Sequence, residues 1–375
     1  MNMTLFRLRA SLACLVLGLF SCRSLSSPSQ TRADSLGERP ELYILAGQSN
    51  MAGQSPLTPE IQAIHVPDVY VFCVYPYRFE RERDEYRADQ GFPQWEPLHP
   101  CGASPEFFGP ELSFAQAFRK AKPGTPLYLI KYAHGGTSLA CEWQPDPASP
   151  AFASYGLNSC QEFFSKASKD PSSIRTYRRF RKAVQWGLEG LSAQGIDPVW
   201  GGMLWFQGEA DAEGRAPFRW LSANYPTNLT HFVQSVRRDL QHPELPFVMG
   251  QIKCGYEQAE WDSSYHPLAL VRQTQANFAR NTPQVSLFDT LDLAFKEDGC
   301  HYNTESMRII GQRFAESLGL GTADQAPRLK AFLACPQHPS CQAGWGWLKQ
   351  GEASCGPDAK GYFADKGGCS CLCAP

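Results

Sequence analysis

The sequence predicts an α/β fold: a three-layer α/β/α sandwich around a central parallel sheet, followed by a small disulfide-rich C-terminal module. Three observations predict it. Short apolar runs, each ending at a glycine or a polar turn, recur between residues 41 and 288. Amphipathic helical patterns lie between several of them. Beyond residue 320 the pattern stops, and six cysteines crowd the remainder of the chain. Strands that alternate with helices pair in parallel, because each crossover helix must cover a face of the sheet.

The elements follow in order. Leu42–Ala46, stopped by Gly47, reads as the first buried strand. Val69–Val74, Leu127–Tyr132, Val199–Phe206, Phe247–Ile252 and Val285–Phe288 have the same character. Glu111–Lys120 places Leu112, Ala115 and Phe118 on one helical face. Tyr177–Leu191, Asn228–Leu240, Leu268–Ala279 and Glu305–Leu318 are the other helices, with Thr227 or Asn228 as cap of the second of these.

The chain has 375 residues, of which 43% are hydrophobic and 19% charged, which excludes wholesale disorder. Its net charge of −2 offers no basic stripe for nucleic acid. The longest basic cluster, Arg178-Arg179-Phe180-Arg181-Lys182, reads as a solvated helix face.

Arg7 and Arg9 precede an apolar run, Leu12 to Phe20, that is too short to span a bilayer. Residues 1–21 therefore read as a secretory signal peptide. Leu19-Phe20-Ser21-Cys22 resembles a bacterial lipobox, which makes Cys22 the lipidated first residue of the mature chain; ordinary cleavage nearby is the alternative. The expected location is outside the cytoplasm, as a membrane-anchored bacterial lipoprotein in the periplasm or at the cell surface. Membrane contact is expected only through the lipid at Cys22. Residues 22–40 read as a flexible tether, 41–320 as the main domain and 321–375 as the cysteine-rich module.

The fourteen cysteines fit an oxidising compartment. The module holds Cys335, Cys341, Cys355, Cys369, Cys371 and Cys373, read as disulfides in preference to a soft-metal site. Trp345 and Trp347 are its core or a sugar-stacking surface. The main domain has Cys73, Cys101, Cys141, Cys160, Cys254 and Cys300, whose connectivity the sequence does not reveal.

Four motifs fall at strand exits, where open α/β sheets bind their ligands. Gly47-Gln48-Ser49-Asn50-Met51 puts a serine on the turn after the first strand. It is not the Gly-x-Ser-x-Gly elbow, because Met51 replaces the second glycine. His134-Gly135-Gly136-Thr137 lets backbone N–H groups approach a ligand, with His134 lining the site. Trp205-Phe206-Gln207-Gly208-Glu209-Ala210-Asp211 offers an amide donor and a carboxyl group. Asp298-Gly299-Cys300-His301 supplies a base and, three residues before it, an acid able to reach back to the ring; a disulfide at Cys300 would fix that turn. Together these are a nucleophile, oxyanion donors and a base on one rim.

With these motifs in this order, the chain resembles the SGNH (GDSL-like) hydrolases, in the branch of acetylxylan esterases and sialate O-acetylesterases. Gly109-Pro110-Glu111 also matches a turn of that family. The resemblance implies a flavodoxin-like SGNH fold and hydrolysis of O-acetyl groups on carbohydrates. It implies Ser49 as nucleophile, His301 as base and Asp298 as its orienting acid, with Glu209 as a second supporting acid. The oxyanion hole would be the N–H groups of Ser49 and Gly136 and the side chain of Gln207. Trp143, Trp205 and Trp95 are candidates for sugar stacking. The expected partner is an acetylated poly- or oligosaccharide, acetylxylan or similar. The chemistry calls for no metal and no organic cofactor. A sialate O-acetylesterase and a non-catalytic glycan-binding surface lipoprotein are the alternatives.

Overall fold

The structure, a computed structural model, describes residues 38–320 apart from 81–83, 88–90, 146–149, 167–174, 213–217 and 254–266, together with two short strands in the tail. The signal peptide, Cys22, most of the tether, Cys254, Trp345 and Trp347 lie outside the described residues.

The chain begins with β1 (Glu41–Gly47), α1 (Ser49–Ala52), β2 (Ser55–Pro56), α2 (Pro59–Gln62) and β3 (Val69–Val74). Then come β4 (Glu96–Pro97), β5 (Phe107–Phe108), α3 (Glu111–Ala121), β6 (Leu127–Ala133), α4 (Pro150–Lys166) and α5 (Thr176–Ala193). The last part of the domain holds β7 (Val199–Phe206), α6 (Trp220–Asp239), β8 (Phe247–Gly250), α7 (Pro267–Asn281), β9 (Val285–Phe288) and α8 (Thr304–Ser317). In the tail β10 (Phe363–Ala364) pairs antiparallel with β11 (Cys369–Ser370).

Seven strands form the main sheet in the order β4-β3-β6-β1-β7-β8-β9. All its pairings are parallel except β3 with the edge strand β4. The β1 strand is apolar almost throughout because both its faces are covered. Successive strand residues point to opposite faces. Phe206 accordingly stacks on Tyr302 at 5.7 Å and meets Phe314 of α8 at 6.3 Å. Its neighbour Trp205 lies against Phe232 of α6 at 4.3 Å, on the other side. Tyr43 meets Phe114 of α3 at 5.1 Å, so α3 and α8 share one face. On the opposite face α5 presses so closely that a Cβ at Gly187 would stand 2.6 Å from Ile130 Cδ1.

This order places the site. From β1 the chain builds the sheet through β3 and β6 on one side, and through β7, β8 and β9 on the other. The crevice where the two directions part opens at the carboxyl ends of β1, β6 and β7.

Several expectations are corrected. Helix α6 starts at Trp220, not at Asn228, and runs through Pro226. Leu221 and Tyr225 are buried there, and that packing outweighs the bond the proline cannot make. Asn228 therefore caps nothing; its side chain accepts from Gln144 Nε2 at 2.9 Å. Strand β8 ends at Gly250, because Ile252 N turns to Gln275 of α7 at 3.2 Å. The basic cluster is not simply solvated. Arg179 is buried, bonds Asp84 at 2.9 Å and lies 5.2 Å from the Phe79 ring centroid.

Two disulfides lie among the described residues, Cys73–Cys101 and Cys141–Cys160. No helix of the described residues is long and apolar enough to cross a membrane.

Candidate active site

The turn that carries Ser49 is built on glycine at Gly47. Its φ of 150° and a clash at 2.1 Å between any Cβ and Phe206 O exclude a side chain. Gln48 N then donates to Phe206 O at 2.9 Å, and Gln48 Oε1 accepts from Gly208 N at 3.4 Å and Ala210 N at 3.3 Å. Ser49 opens α1 and is 7% exposed.

The turn after β6 comes alongside. His134 N donates to Gly47 O at 2.9 Å. A Cβ on Gly135 would stand 3.5 Å from Ser49 Cβ, which puts this turn against the serine. Gly136 has φ 67°, a left-handed conformation natural to glycine. Thr137 Oγ1 donates to His134 O at 2.6 Å and accepts from the Trp143 indole at 2.8 Å, which braces the loop.

The third piece is the loop between β9 and α8. Asp298 Oδ1 accepts from Cys300 N at 3.0 Å and His301 N at 2.8 Å. Its Oδ2 meets His301 Nδ1 at 2.9 Å and Lys296 Nζ at 3.2 Å. Burial alone would raise the Asp298 carboxyl; these hydrogen bonds outweigh it and hold the group well below the ordinary carboxylate range. Asp298 thus braces the turn through two backbone N–H groups.

Asn50 ties the pieces together. Its Nδ2 donates to Cys300 O at 3.2 Å and its Oδ1 accepts from Tyr302 N at 3.3 Å. The residue after Ser49 therefore grips both chain neighbours of His301. Asn50 Nδ2 also donates to Glu209 Oε1 at 2.9 Å. A direct Ser49–His301 hydrogen bond is not formed among the described residues. Such bonds often tighten only when substrate is bound.

Residues 39–319 match the model of a family of carbohydrate esterases described as sialic acid-specific acetylesterase. The chain belongs to this family.

Three solved structures show the same fold as this esterase. A protein from Arabidopsis thaliana is 20% identical with a TM-score of 0.51, over 75% of this chain and 98% of that one. A carbohydrate acetylesterase from Xanthomonas citri is 20% identical with a TM-score of 0.51, over 74% of this chain. The match covers 55% of the Xanthomonas protein, so this chain spans about half its length. NanS is 15% identical with a TM-score of 0.50, over 75% of this chain and 97% of that one. No curated protein sequence matches the chain.

Five expected site residues of the esterase lie differently from expectation. Both amide hydrogens of Gln207 are committed, to Thr137 O at 2.9 Å and Asp211 Oδ2 at 2.5 Å, so its side chain braces the β6 turn and is no oxyanion donor here. Glu209 acts on the histidine loop through Asn50 and not on the ring, where Asp298 already sits. Burial pushes the Glu209 carboxyl up to about 7 against the bond from Asn50, and its Oε2 is buried without a partner. Trp143 and Trp205 are fully buried, 4.9 Å apart, and offer no surface to a sugar. Trp95 packs on Phe72 and Tyr128 and donates to Gly187 O.

The esterase also makes contacts to which the sequence had assigned no role. Asp211 accepts from Leu139 N at 2.8 Å and Ala140 N at 3.2 Å, and burial pushes its carboxyl up to about 7 against these bonds and that from Gln207. Lys131 and Glu111 form a buried ion pair at 2.6 Å, which holds both backbone polar groups of Cys101. Burial pushes the Lys131 ammonium down, with Glu111 opposing. Tyr75 and Tyr77, with His134, line a cleft beside Ser49. The signal for the tyrosines was a Tyr-Pro-Tyr turn directly after β3. Cys73, His99 and Cys101 bring donor atoms within 4.8 Å of one another, but the two sulfurs are joined to each other.

Proposed function

We propose that the protein is an exported serine esterase that removes O-acetyl groups from an acetylated glycan such as acetylxylan, through an acetyl-enzyme. Ser49 Oγ attacks the acetyl carbonyl carbon while His301 Nε2 takes its proton. Asp298 holds the Nδ1–H, which sets the tautomer and stabilises the imidazolium. The N–H groups of Ser49 and Gly136 receive the oxyanion. The bond to the sugar oxygen then breaks, and His301 returns its proton to the departing hydroxyl. Water, deprotonated by the same histidine, releases acetate and restores Ser49.

One observation carries this reading: Asn50, next to the serine, bonds the residues on either side of the histidine, whose ring is held by Asp298 at 2.9 Å. An O-acetylated sialoside is a second substrate, favoured by the description of the family. The test is acetate release from acetylated xylan and from an O-acetylated sialoside. Release from either supports the proposal. Binding of both glycans without release would replace it with the non-catalytic glycan-binding lipoprotein.

Export rests on the apolar run before Cys22. Cys22→Ser should move the protein from membranes to the soluble fraction. A distribution unchanged by that substitution would contradict the lipid anchor.

A further inference from the structure

We propose that the cleft between the exits of β3 and β6 is the subsite for the sugar ring that bears the acetyl group, with Tyr77 as its stacking platform. The inference rests on the esterase reading of Ser49.

The cleft is about 150 Å³ in volume, and Ala52 and Gly135 are part of its lining. Ala52 lies three residues after Ser49 on α1, and residues at that spacing are neighbours on a helix surface. Gly135 is held against Ser49 by the 3.5 Å approach noted above. Two residues of the cleft's lining are therefore neighbours of Ser49. Its far wall is Tyr75-Pro76-Tyr77.

Tyr77 is 57% exposed, the most exposed of the large hydrophobic side chains among the described residues. Its ring stands 5.4 Å from that of Tyr75. An aromatic face carries partial negative charge, and the C–H bonds on one face of a pyranose are weakly positive, so the two attract. The phenol oxygen adds a donor and an acceptor suited to sugar hydroxyls. A flat acetyl group alone has no use for such a platform.

The wall is also held rigidly, as a recognition surface requires. Arg78 lies over the Tyr75 ring at 5.2 Å. The Cys73–Cys101 disulfide anchors the chain two residues before Tyr75. Beneath it, Lys131 and Glu111 hold the backbone of Cys101 from both sides.

The test compares Tyr77→Ala and Tyr77→Phe with the parent on two substrates: p-nitrophenyl acetate, which has no sugar, and whichever of acetylated xylo-oligosaccharide and O-acetylated sialoside the parent turns over faster. Tyr77→Ala should raise KM for the glycan about tenfold, equivalent to about 1.4 kcal/mol. It should leave kcat/KM for p-nitrophenyl acetate essentially at the parent's value. Tyr77→Phe, which keeps the ring, should restore most of the glycan KM. An unchanged glycan KM in Tyr77→Ala, or equal losses on both substrates, would overturn the subsite. Failure of the esterase reading looks different: the parent itself would release acetate from neither glycan, and the subsite would fall with it.

Discussion

Asn50 donates its carboxamide N–H to Glu209 at 2.9 Å, and so joins the turn that carries Ser49 to the exit of β7. The same side chain bonds Cys300 O and Tyr302 N, which makes it a link between the serine and histidine loops. Serine and histidine come from opposite ends of the domain, and this link, with those from Ser55 to Tyr302 O and from Lys296 to Gln54 O, fixes their separation.

Asn50→Ala should therefore act on turnover and not on binding. A misplacement of about 1 Å can cost on the order of 10²-fold in rate. Steady-state kinetics on an acetyl ester should show kcat reduced by roughly that factor with KM little changed. A kcat equal to the parent's would remove Asn50 as the positioning residue.

The two acids should separate in the same assay. Asp298 touches the ring and Glu209 does not. Loss of the orienting carboxylate costs on the order of 10⁴ in serine proteases. Asp298→Asn should approach that loss, Glu209→Gln should lose much less, and neither should match His301→Ala. The reverse ranking would make Glu209 the main acid.

Stability should depend on pH through the buried acids. Burial pushes Glu209 and Asp211 up to about 7, above their ordinary values near 4, so the folded protein keeps protons that the unfolded chain loses. Stability from these groups is full below about pH 4 and declines as pH rises toward 7. Asp298, held low, works in the opposite sense: its contribution is full above its ordinary carboxylate value and is lost as pH falls further. Urea denaturation of the parent at pH 5 and pH 7.5 should show the decline, and Glu209→Gln should reduce it. An identical slope in the variant would contradict the raised carboxyl.

The Cys141–Cys160 disulfide joins the segment after the β6 turn to α4 across a sequence separation of 19. A loop of that order is worth about 3 kcal/mol in the chain-entropy model. The double variant Cys141→Ser with Cys160→Ser should be less stable by about that amount in urea denaturation. Unchanged stability would mean that the bridge constrains little in the unfolded chain.

Much of this was legible in the sequence, for identifiable reasons. Strands buried on both faces read as unbroken apolar runs, so β1, β3, β6, β7 and β9 showed clearly. Ser49, His301 and Asp298 stood in short motifs at strand exits, and the Asp-x-x-His spacing is local enough to be read directly. What could not be read depends on tertiary contact. Trp143 and Trp205 are chemically apt for sugar stacking, but their packing against Phe232 and each other buries them. Gln207 has the right amide for an oxyanion, but Asp211, four residues on, claims it. Arg179 sits in a basic run, and its partner Asp84 is 95 residues away. Helix α6 passes through a proline because buried Leu221 and Tyr225 hold its first turns in place.

The most direct test of the central claim is acetate release by Ser49→Ala. Ser49 is the proposed attacking group, and its side chain forms no hydrogen bond among the described residues. The variant should unfold at the same urea concentration as the parent and release acetate from acetyl esters only at the uncatalysed rate. Acetate release within about tenfold of the parent, equivalent to about 1.4 kcal/mol of barrier, would contradict Ser49 as the nucleophile.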